Sequence, residues 1–314
     1  AAPPTPAPAT TAAATTVPPR PKPATTTTSA TTPATSATTA VATTTAPAAP
    51  PVGPVVPAGP TRFLSWNVYY KELGSDHRIN GIAEGIKQVA PEIASIQEMW
   101  HEKPKILQRL RDITGQDWKF AEGGETEKVW DGDVLYRNDL WEHLESGVHL
   151  YGDHWDAYQG RGITWAALRR RSDGYGVLVV ATHPWCCTDD KPVLEAMEMV
   201  EREMTLWQEQ YPFAIAFMGD MNAHYYSGSQ RLLREGNAVA HSQQWQVPVT
   251  FTDSYAEIHS DDPNASTGFG GKIDFVYFQK TPWNLGTVTD AKIWPDLPGG
   301  SDHYAVSGDI KLGA

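Results

Sequence analysis

Short apolar runs, each followed by a polar residue, recur through most of the chain. Their length and their content of β-branched and aromatic residues are typical of strands. The runs occupy 63–68, 93–97, 133–136, 164–168, 176–182, 213–218 and 273–278. The pattern therefore predicts a strand-rich fold in which polar groups gather at the strand ends.

Three longer segments repeat their apolar residues with a helical period instead. They cover 79–89, which Pro91 closes, 104–114 and 191–211. An apolar stripe of this kind packs one face of a helix onto a core. Many strands, several helices and one shared core predict an α/β sandwich, with two sheets packed face to face and helices outside.

The first 60 residues differ in composition from the rest. Of these positions, 51 are Ala, Thr, Pro or Ser, none is aromatic, and the only charges are Arg20 and Lys22. Such a segment cannot bury enough apolar surface to fold. We predict a disordered Ala/Thr/Pro-rich stalk or linker over 1–60, followed by one globular domain over 61–314.

The tail also bears on localisation. Threonine beside proline is typical of O-glycosylated stalks on secreted or wall-associated proteins, and an unmodified linker is the alternative. Asn264-Ala-Ser adds one acceptor pattern for N-glycosylation. We therefore expect a secreted protein or one associated with the cell wall or surface. No apolar run approaches the roughly 20 residues that a membrane-spanning helix needs.

Cys186 and Cys187 are adjacent in the sequence. They cannot cross-link distant parts of the fold, so the chain is not a disulfide scaffold. Two ordinary thiols are the simplest interpretation, and a vicinal disulfide or a small metal or redox role are the alternatives.

Net charge limits the class of partner. The whole chain carries −12, and without the two cations of the tail the domain has 23 basic and 37 acidic residues, a balance of −14. Tight, sequence-tolerant binding of nucleic acid needs a basic face, so this balance argues against it. A phosphate substrate is not excluded, because a bound divalent cation reverses the local sign of a site.

Candidate catalytic residues stand where the strands end. They are amides, carboxylates and histidines, namely Asn67, Glu98, His183, Asp220, Asn222, Asp274, Asp302 and His303. Carboxylate and amide oxygens suit hard divalent cations, and histidines suit a phosphate. The set lacks the Cys/His ligands of structural zinc, and the chain has no Gly-rich phosphate loop and no Gly-x-Ser-x-Gly elbow.

The order and strand context of these residues resemble the endonuclease/exonuclease/phosphatase superfamily, which has the deoxyribonuclease-I-like fold. The resemblance spans about 62–306 and is carried by Ser-Trp-Asn67, Gln-Glu98, Thr-His183, Gly-Asp220-Met-Asn222, Ile-Asp274 and Ser-Asp302-His303. It implies an α/β four-layered sandwich of two packed mixed β-sheets flanked by helices, and it makes 61–314 the catalytic domain. The implied activity is Mg²⁺-dependent hydrolysis of a phosphoester, with Mn²⁺ or Ca²⁺ as alternative ions.

The resemblance assigns the metal and the water by motif. It makes Glu98 the main metal ligand, with Asn67 beside it. Asp302 is implied either to ligate the metal or to fix an imidazole. Asp220 is implied to orient or deprotonate the attacking water.

The remaining residues are implied to serve the phosphate. Asn222 would hold a phosphate oxygen and Asp220, while His303 and His183 would face the phosphate from opposite sides. Asp274 would hold one of the histidines or the geometry of the site. These roles match the needs of phosphoester hydrolysis, which are an in-line water, neutralised oxygens and help for the leaving oxygen.

Three further residues are weaker candidates for substrate binding: Tyr136 and Arg137, which follow a strand, and Arg161, which precedes another. The fold does not choose among nucleases, sphingomyelinases and inositol-phosphate phosphatases. We expect an extracellular phosphodiesterase or nuclease that acts as a monomer, with nucleic acid as one candidate substrate. A phosphatase, a lipid phosphodiesterase and, outside enzymes, an inactive binding module on a stalk are the alternatives.

Overall fold

The computed structural model of the chain describes residues 59–121, 132–151, 161–185, 190–268 and 270–313. The stalk predicted for the N-terminus, up to residue 58, and the Cys186–Cys187 pair lie outside these described residues.

The described residues form fourteen strands and five α-helices. The strands are β1 Thr61–Asn67, β2 Ile93–Gln97, β3 Trp118–Phe120, β4 Asp133–Arg137, β5 Trp141–Leu150, β6 Gly162–Arg170, β7 Gly176–Thr182, β8 Ala214–Asp220, β9 Asn237–Ala240, β10 Gln243–Gln246, β11 Thr250–Asp253, β12 Asp274–Thr281, β13 Gly286–Trp294 and β14 Ala305–Leu312. The helices are α1 Asp76–Val89, α2 Lys103–Thr114, α3 Asp190–Gln210, α4 Gly228–Glu235 and α5 Ser254–Ile258.

Two six-stranded sheets form the centre of the fold. The first has the order β13-β14-β1-β2-β4-β3 and the second β11-β12-β8-β7-β6-β5. Each sheet contains one parallel pair, β1 with β2 and β7 with β8, among antiparallel neighbours. Both sheets are therefore mixed, and the carboxyl ends of each parallel pair lie at one edge of their sheet.

Apolar side chains on both faces of these strands explain the continuous apolar runs. Phe63 and Val179 belong to the cluster between the two sheets. Their neighbours Leu64 and Val180 point away from the other sheet. Leu64 packs in a cluster with residues of α1 and α2, and Val180 packs in a cluster with residues of α3 and α4. Successive side chains of a strand alternate between faces, so a strand covered on both faces is apolar throughout. The predicted sandwich of two mixed sheets flanked by helices is confirmed.

Capping residues set the helix bounds. Ser75 Oγ accepts the backbone N–H of Arg78 at 3.4 Å, so α1 begins three residues before the periodic segment at 79–89. The helix ends at Ala90, which adopts a left-handed conformation and donates its N–H to the carbonyl of Ile86. Among the residues that the structure describes, no helix has both the length and the apolar character needed to cross a bilayer.

Candidate active site

Polar residues from both sheets meet at the edge where the parallel strands end. Asn67 closes β1 and Glu98 follows β2 in the first sheet, while Asp220 closes β8 in the second. The Asn67 side chain bridges them, because its Nδ2 donates to Glu98 Oε1 at 3.1 Å and to Asp220 Oδ2 at 3.0 Å. One amide group therefore joins carboxylates of the two sheets.

Asp220 is the centre of this cluster and is only 1% exposed. Besides Asn67, its Oδ2 faces His183 Nε2 at 3.2 Å and His303 Nε2 at 3.6 Å, and its Oδ1 accepts the backbone N–H of Asn222 at 2.9 Å. Burial alone would raise the pKa of this carboxyl. The charges of His183 and His303 and the hydrogen bonds from His183 and Asn67 outweigh burial and hold the pKa well below its usual range.

His303 lies between three carboxylates. Its Nδ1 is 2.9 Å from Asp274 Oδ2, and its Nε2 faces Asp220 and is 4.0 Å from Asp302 Oδ1. Burial lowers the pKa of the imidazole, but Asp274 and Asp220 outweigh it and raise the pKa to about 10. His303 is therefore an imidazolium at neutral pH. Burial, together with repulsion from Asp220, raises the pKa of Asp274 to about 6 against the opposing charge of His303.

The spacing between β7 and β8 depends on Gly219, which precedes Asp220. A Cβ at this position would lie 2.0 Å from the carbonyl oxygen of Thr182, the residue before His183. The two strands therefore approach closely at their carboxyl ends. This approach brings the imidazole of His183 against Asp220.

A turn ahead of β14 presents Asp302 and His303. Ser301 Oγ donates to the carbonyl of Asn67 at 2.6 Å and accepts the backbone N–H of His303 at 3.0 Å. Gly268 packs behind the turn with φ +126°, and a Cβ there would lie 2.3 Å from the carbonyl oxygen of Asp302. Ser301 thus ties the histidine turn to the end of β1, a role that the sequence patterns did not reveal.

The loop after β1 holds the side chains of Asn67 and Glu98 through main-chain groups. The N–H of Tyr69 donates to Asn67 Oδ1 at 2.9 Å, and the N–H of Tyr70 donates to Glu98 Oε2 at 3.0 Å. Tyr69 and Glu98 both have left-handed φ values, +58° and +63°. Non-glycine residues in that region cost about 1–2 kcal/mol each, so the surrounding hydrogen bonds must maintain them.

Arg78 of α1 supports the same loop from behind and is only 6% exposed. Its Nη2 donates to the carbonyls of Val68 and Tyr69, each at 2.5 Å. These carbonyls belong to the two peptide units whose N–H groups hold Asn67 and Glu98. Arg78 is therefore linked to both side chains through two peptide planes. The sequence patterns missed it, because in the sequence it is an ordinary charged residue of a first helical turn.

Two of the other predicted residues line the same edge. The side chain of Asn222 donates from Nδ2 to the carbonyl of Pro184 at 3.1 Å. Arg161 donates from Nη1 to the same carbonyl at 2.7 Å and to that of His183 at 3.3 Å. Arg161 thus supports the segment after β7 in the described structure.

Tyr136 and Arg137 are placed elsewhere, which corrects their selection as substrate-binding candidates. Strand β4 runs antiparallel to β2, with Tyr136 opposite Ile93 at the start of β2. Glu98 follows the far end of that strand, and the Arg137 side chain pairs with Asp139. Five strand residues at roughly 3.3 Å each separate the two positions. Both residues therefore lie at the opposite pole of the sheet from the cluster.

The oxygen-rich donors of the cluster fit a hard divalent cation. Among the described residues, ligand atoms of Asp220, Asp274 and His303 lie within 4.8 Å of one another. We favour a different set, made of oxygen donors alone, because hard divalent cations bind carboxylate and carbonyl oxygens in preference to imidazole. Glu98 is half-buried and Asp302 exposed, and both offer carboxylate oxygens beside the histidines. Asn67 Oδ1 already accepts the N–H of Tyr69 and has a second lone pair to offer to a cation. Such donors suit Mg²⁺, Mn²⁺ or Ca²⁺ rather than zinc.

Comparison with known structures places the chain among proteins of one fold. The human Nocturnin catalytic domain with bound sulfate is 16% identical, with a TM-score of 0.60, over 81% of this chain and 95% of that one. A mannosyl-6-phosphatase of Bacteroides thetaiotaomicron is 16% identical, with a TM-score of 0.56, over 80% and 99%. ANGEL2, described as a 2′,3′-cyclic phosphatase in complex with adenosine-2′,3′-vanadate, is 12% identical, with a TM-score of 0.61, over 80% and 96%.

Sequence comparison gives the family itself. None of the curated protein sequences compared with the chain matches it significantly. A family model does match, over residues 64–303, which include every member of the cluster. The chain therefore belongs to the Endonuclease/Exonuclease/phosphatase family, as its strand-end residues indicated.

Proposed function

We propose that the domain is a phosphoester hydrolase that uses a divalent cation, with Mg²⁺ as the first choice, and that its substrates are phosphodiesters. The observation that carries this proposal is the position of Asp220. Its Oδ2 faces both histidines and the amide of Asn67, which also binds Glu98. A water bound at Asp220 would therefore face a cation site and a pair of phosphate-binding imidazoles together.

Glu98, Asn67 and Asp302 would hold the cation. When bound, it would supply positive charge to a phosphate oxygen and so favour the negative charge of the transition state. The peptide N–H groups of Tyr69 and Tyr70 keep Asn67 and Glu98 in place. Fixing ligands in this way avoids a reorganisation penalty during the reaction.

Asp220 would orient the attacking water. A carboxylate whose pKa lies well below the usual range is a weak proton acceptor, which favours orientation over full deprotonation. Asn67 Nδ2 and His183 Nε2 at Oδ2, and the N–H of Asn222 at Oδ1, fix the direction of its lone pairs. A fixed acceptor can place water in line with the bond that breaks.

His303 would stabilise charge on the phosphate. Asp274 accepts a hydrogen bond from Nδ1 of His303. The imidazolium therefore keeps Nε2 as a donor that faces the edge of the sheets where Asp220 lies. His183 and the side chain of Asn222 would contact the phosphate from the second sheet. A preorganised donor of this kind contributes about 10²–10³ to the rate.

Substitution of Arg78 tests the support behind the cation ligands. Arg78→Met should weaken Mg²⁺ binding about 10- to 100-fold, because partners behind metal ligands typically have effects of that size. Isothermal titration with Mg²⁺ measures this without any need for turnover. Arg111→Met is the matched control, since Arg111 also donates to a backbone carbonyl, that of Trp118, but far from the cluster. Equal weakening in both variants would contradict the role of Arg78.

Substrate class is the finer part of the proposal. A phosphodiesterase or nuclease comes first, although the acidic domain disfavours high-affinity, sequence-tolerant DNA binding. A phosphatase is the second candidate, because two proteins of this fold are described as a mannosyl-6-phosphatase and a 2′,3′-cyclic phosphatase. A secreted or surface-associated location is supported by the Ala/Thr/Pro-rich composition of the first 60 residues.

Metal removal tests the activity directly. Hydrolysis of plasmid DNA, RNA, sphingomyelin vesicles and inositol phosphates should require Mg²⁺, stop with EDTA and return when Mg²⁺ is added back. Glu98→Gln should lower the best of these rates by at least about 100-fold, because the carboxylate charge that attracts the cation is lost. Asp112→Asn, an exposed carboxylate in α2, is the control and should change nothing.

The outcome also separates enzyme from binding module. Turnover that survives EDTA and is indifferent to Glu98→Gln would contradict the proposal. Absence of turnover on every substrate would favour an inactive module. If nucleic acid is cut fastest, the rate should fall as salt rises, because phosphate contacts release counterions.

A further inference from the structure

A stacked pair of aromatic rings lies directly beside the proposed cation ligand Glu98. Tyr70, whose N–H holds Glu98 Oε2, stacks on Trp100, which follows Glu98 by two residues. The ring centroids are 4.6 Å apart and the planes differ by 9°. The chain thus places one stacked aromatic pair next to Glu98.

Both rings reach the surface. Tyr70 is 47% exposed and Trp100 is 36% exposed. One face of each ring packs against the other ring. Since both side chains are still exposed to this extent, further aromatic surface is accessible to solvent. Burial of apolar surface contributes about 25 cal/mol of favourable free energy for each Å² removed from water. An exposed aromatic surface is therefore a favourable place for a ligand to bind.

The backbone holds this pair in a defined arrangement. Tyr69 packs edge-on against Tyr70, with centroids 5.5 Å apart. Tyr69, Glu98 and Trp100 adopt left-handed φ values of +58°, +63° and +44°. Because main-chain hydrogen bonds and ring contacts fix the loops, a ligand would not have to order the rings on binding.

The charges nearby favour a planar ring as the ligand over a membrane surface. Lys71 and Glu72 follow Tyr70 in sequence, and Glu102 pairs with Lys105 after Trp100. Among the described residues, this mixture of charges forms no basic patch for anionic lipid headgroups. Stacking, in contrast, needs no net charge, and it is worth about 1–3 kcal/mol per base.

We infer that Tyr70 and Trp100 form a platform that stacks a nucleobase of the substrate beside the phosphate that is cleaved. The inference rests on the proposed function and narrows it to nucleotide phosphoesters. A nucleotide carries its base a few bonds from its phosphate, so a phosphate bound to the cation that Glu98 would hold brings the base to the adjacent rings. Stacking supplies affinity that an acidic domain does not obtain from a basic face.

Binding of two matched ligands tests the platform. Adenosine 5′-monophosphate and ribose 5-phosphate share a sugar phosphate and differ in the base. By isothermal titration in Mg²⁺, the intact protein should bind the first about 5- to 100-fold more tightly. Tyr70→Leu and Trp100→Leu should each reduce this ratio, and Trp100→Phe should retain part of it.

Trp283→Leu is the control, because Trp283 is another exposed tryptophan, 43% exposed, beyond the end of β12 that lies away from Asp220. Equal binding of the two ligands by the intact protein would overturn the platform, and so would a ratio that survives both leucine variants. An equal loss of affinity for both ligands would show that the two rings only support Glu98. This result would also overturn the platform. Hydrolysis of the substrate panel is followed separately, so failure of hydrolysis is distinguished from failure of base stacking.

Discussion

Replacing Asp220 by Asn should lower kcat for phosphoester hydrolysis by about 10²- to 10⁴-fold with a much smaller change in KM. The substitution keeps the size of the side chain but removes the charge that His183 and His303 face. The carbonyl oxygen of the Asn amide can still accept hydrogen bonds, whereas the NH₂ group that replaces the second carboxylate oxygen cannot. Water would lose a fixed acceptor, while phosphate binding by other residues would persist.

Steady-state kinetics at saturating Mg²⁺ measure this effect, with Asp112→Asn again as the control. The variant also removes one of the three carboxylates that raise the pKa of His303. Circular dichroism and thermal unfolding show whether the variant is folded. A folded Asp220→Asn protein that keeps more than about a tenth of kcat would contradict the central role of this carboxylate.

Replacing Glu201 by Gln should abolish a pH dependence of stability that is unrelated to the active site. Glu201 lies in α3, is 1% exposed, and neither of its carboxylate oxygens has a hydrogen-bond partner of normal geometry among the described residues. Burial raises the pKa of Glu201 from 4.5 to about 9, opposed in part by the backbone of Val249. The folded protein therefore holds this proton far more tightly than the unfolded chain does.

A raised folded-state pKa fixes the sign of the effect. The stabilising contribution of protonated Glu201 is complete below the unfolded pKa near 4.5 and is lost as pH rises toward 9. The loss is about 1.4 kcal/mol per pH unit within that window, or roughly 4 kcal/mol between pH 5 and pH 8. Glutamine does not titrate in this range, so the free energy of unfolding of the variant should not show this dependence on pH.

Denaturant unfolding across pH 5 to 9 measures the difference between the two proteins. The free energy of unfolding of the natural sequence should fall relative to Glu201→Gln as pH rises. Glu198→Gln, an exposed position three residues earlier on the same helix, should keep the slope of the natural sequence. Parallel stability curves for the natural protein and Glu201→Gln would contradict the prediction.

The structure brings together candidate residues that the sequence places at strand ends. Asn67 and Asp220 end buried strands, and the pattern of polar residues at strand ends predicted that such groups gather at one edge. Strand β5 was missed because it is an edge strand with mostly half-buried residues, so its polar and apolar positions do not separate cleanly. The short helix α4 was missed because its eight residues give too few turns for a clear period.

Residues that act through the main chain could not be found in the same way. Arg78 and Ser301 bind backbone carbonyls, and no side-chain pattern encodes which carbonyl lies within reach. The error over Tyr136 and Arg137 has a different cause. They follow an apolar run just as Asn67 does, but the direction of a strand is set by its partners. Because β4 runs antiparallel to β2, its end lies at the other pole.

Gly219 has a consequence for how this site can vary. A Cβ at position 219 would overlap the carbonyl of Thr182, at 2.0 Å, so any other amino acid would push β8 away from β7. That movement would separate His183 from Asp220 along the direction in which they now meet at 3.2 Å. The distance between the His183 imidazole and the Asp220 carboxylate therefore depends on the absence of a side chain at Gly219. Even alanine, the smallest replacement, would change the electrostatics of the cluster without touching a charged group.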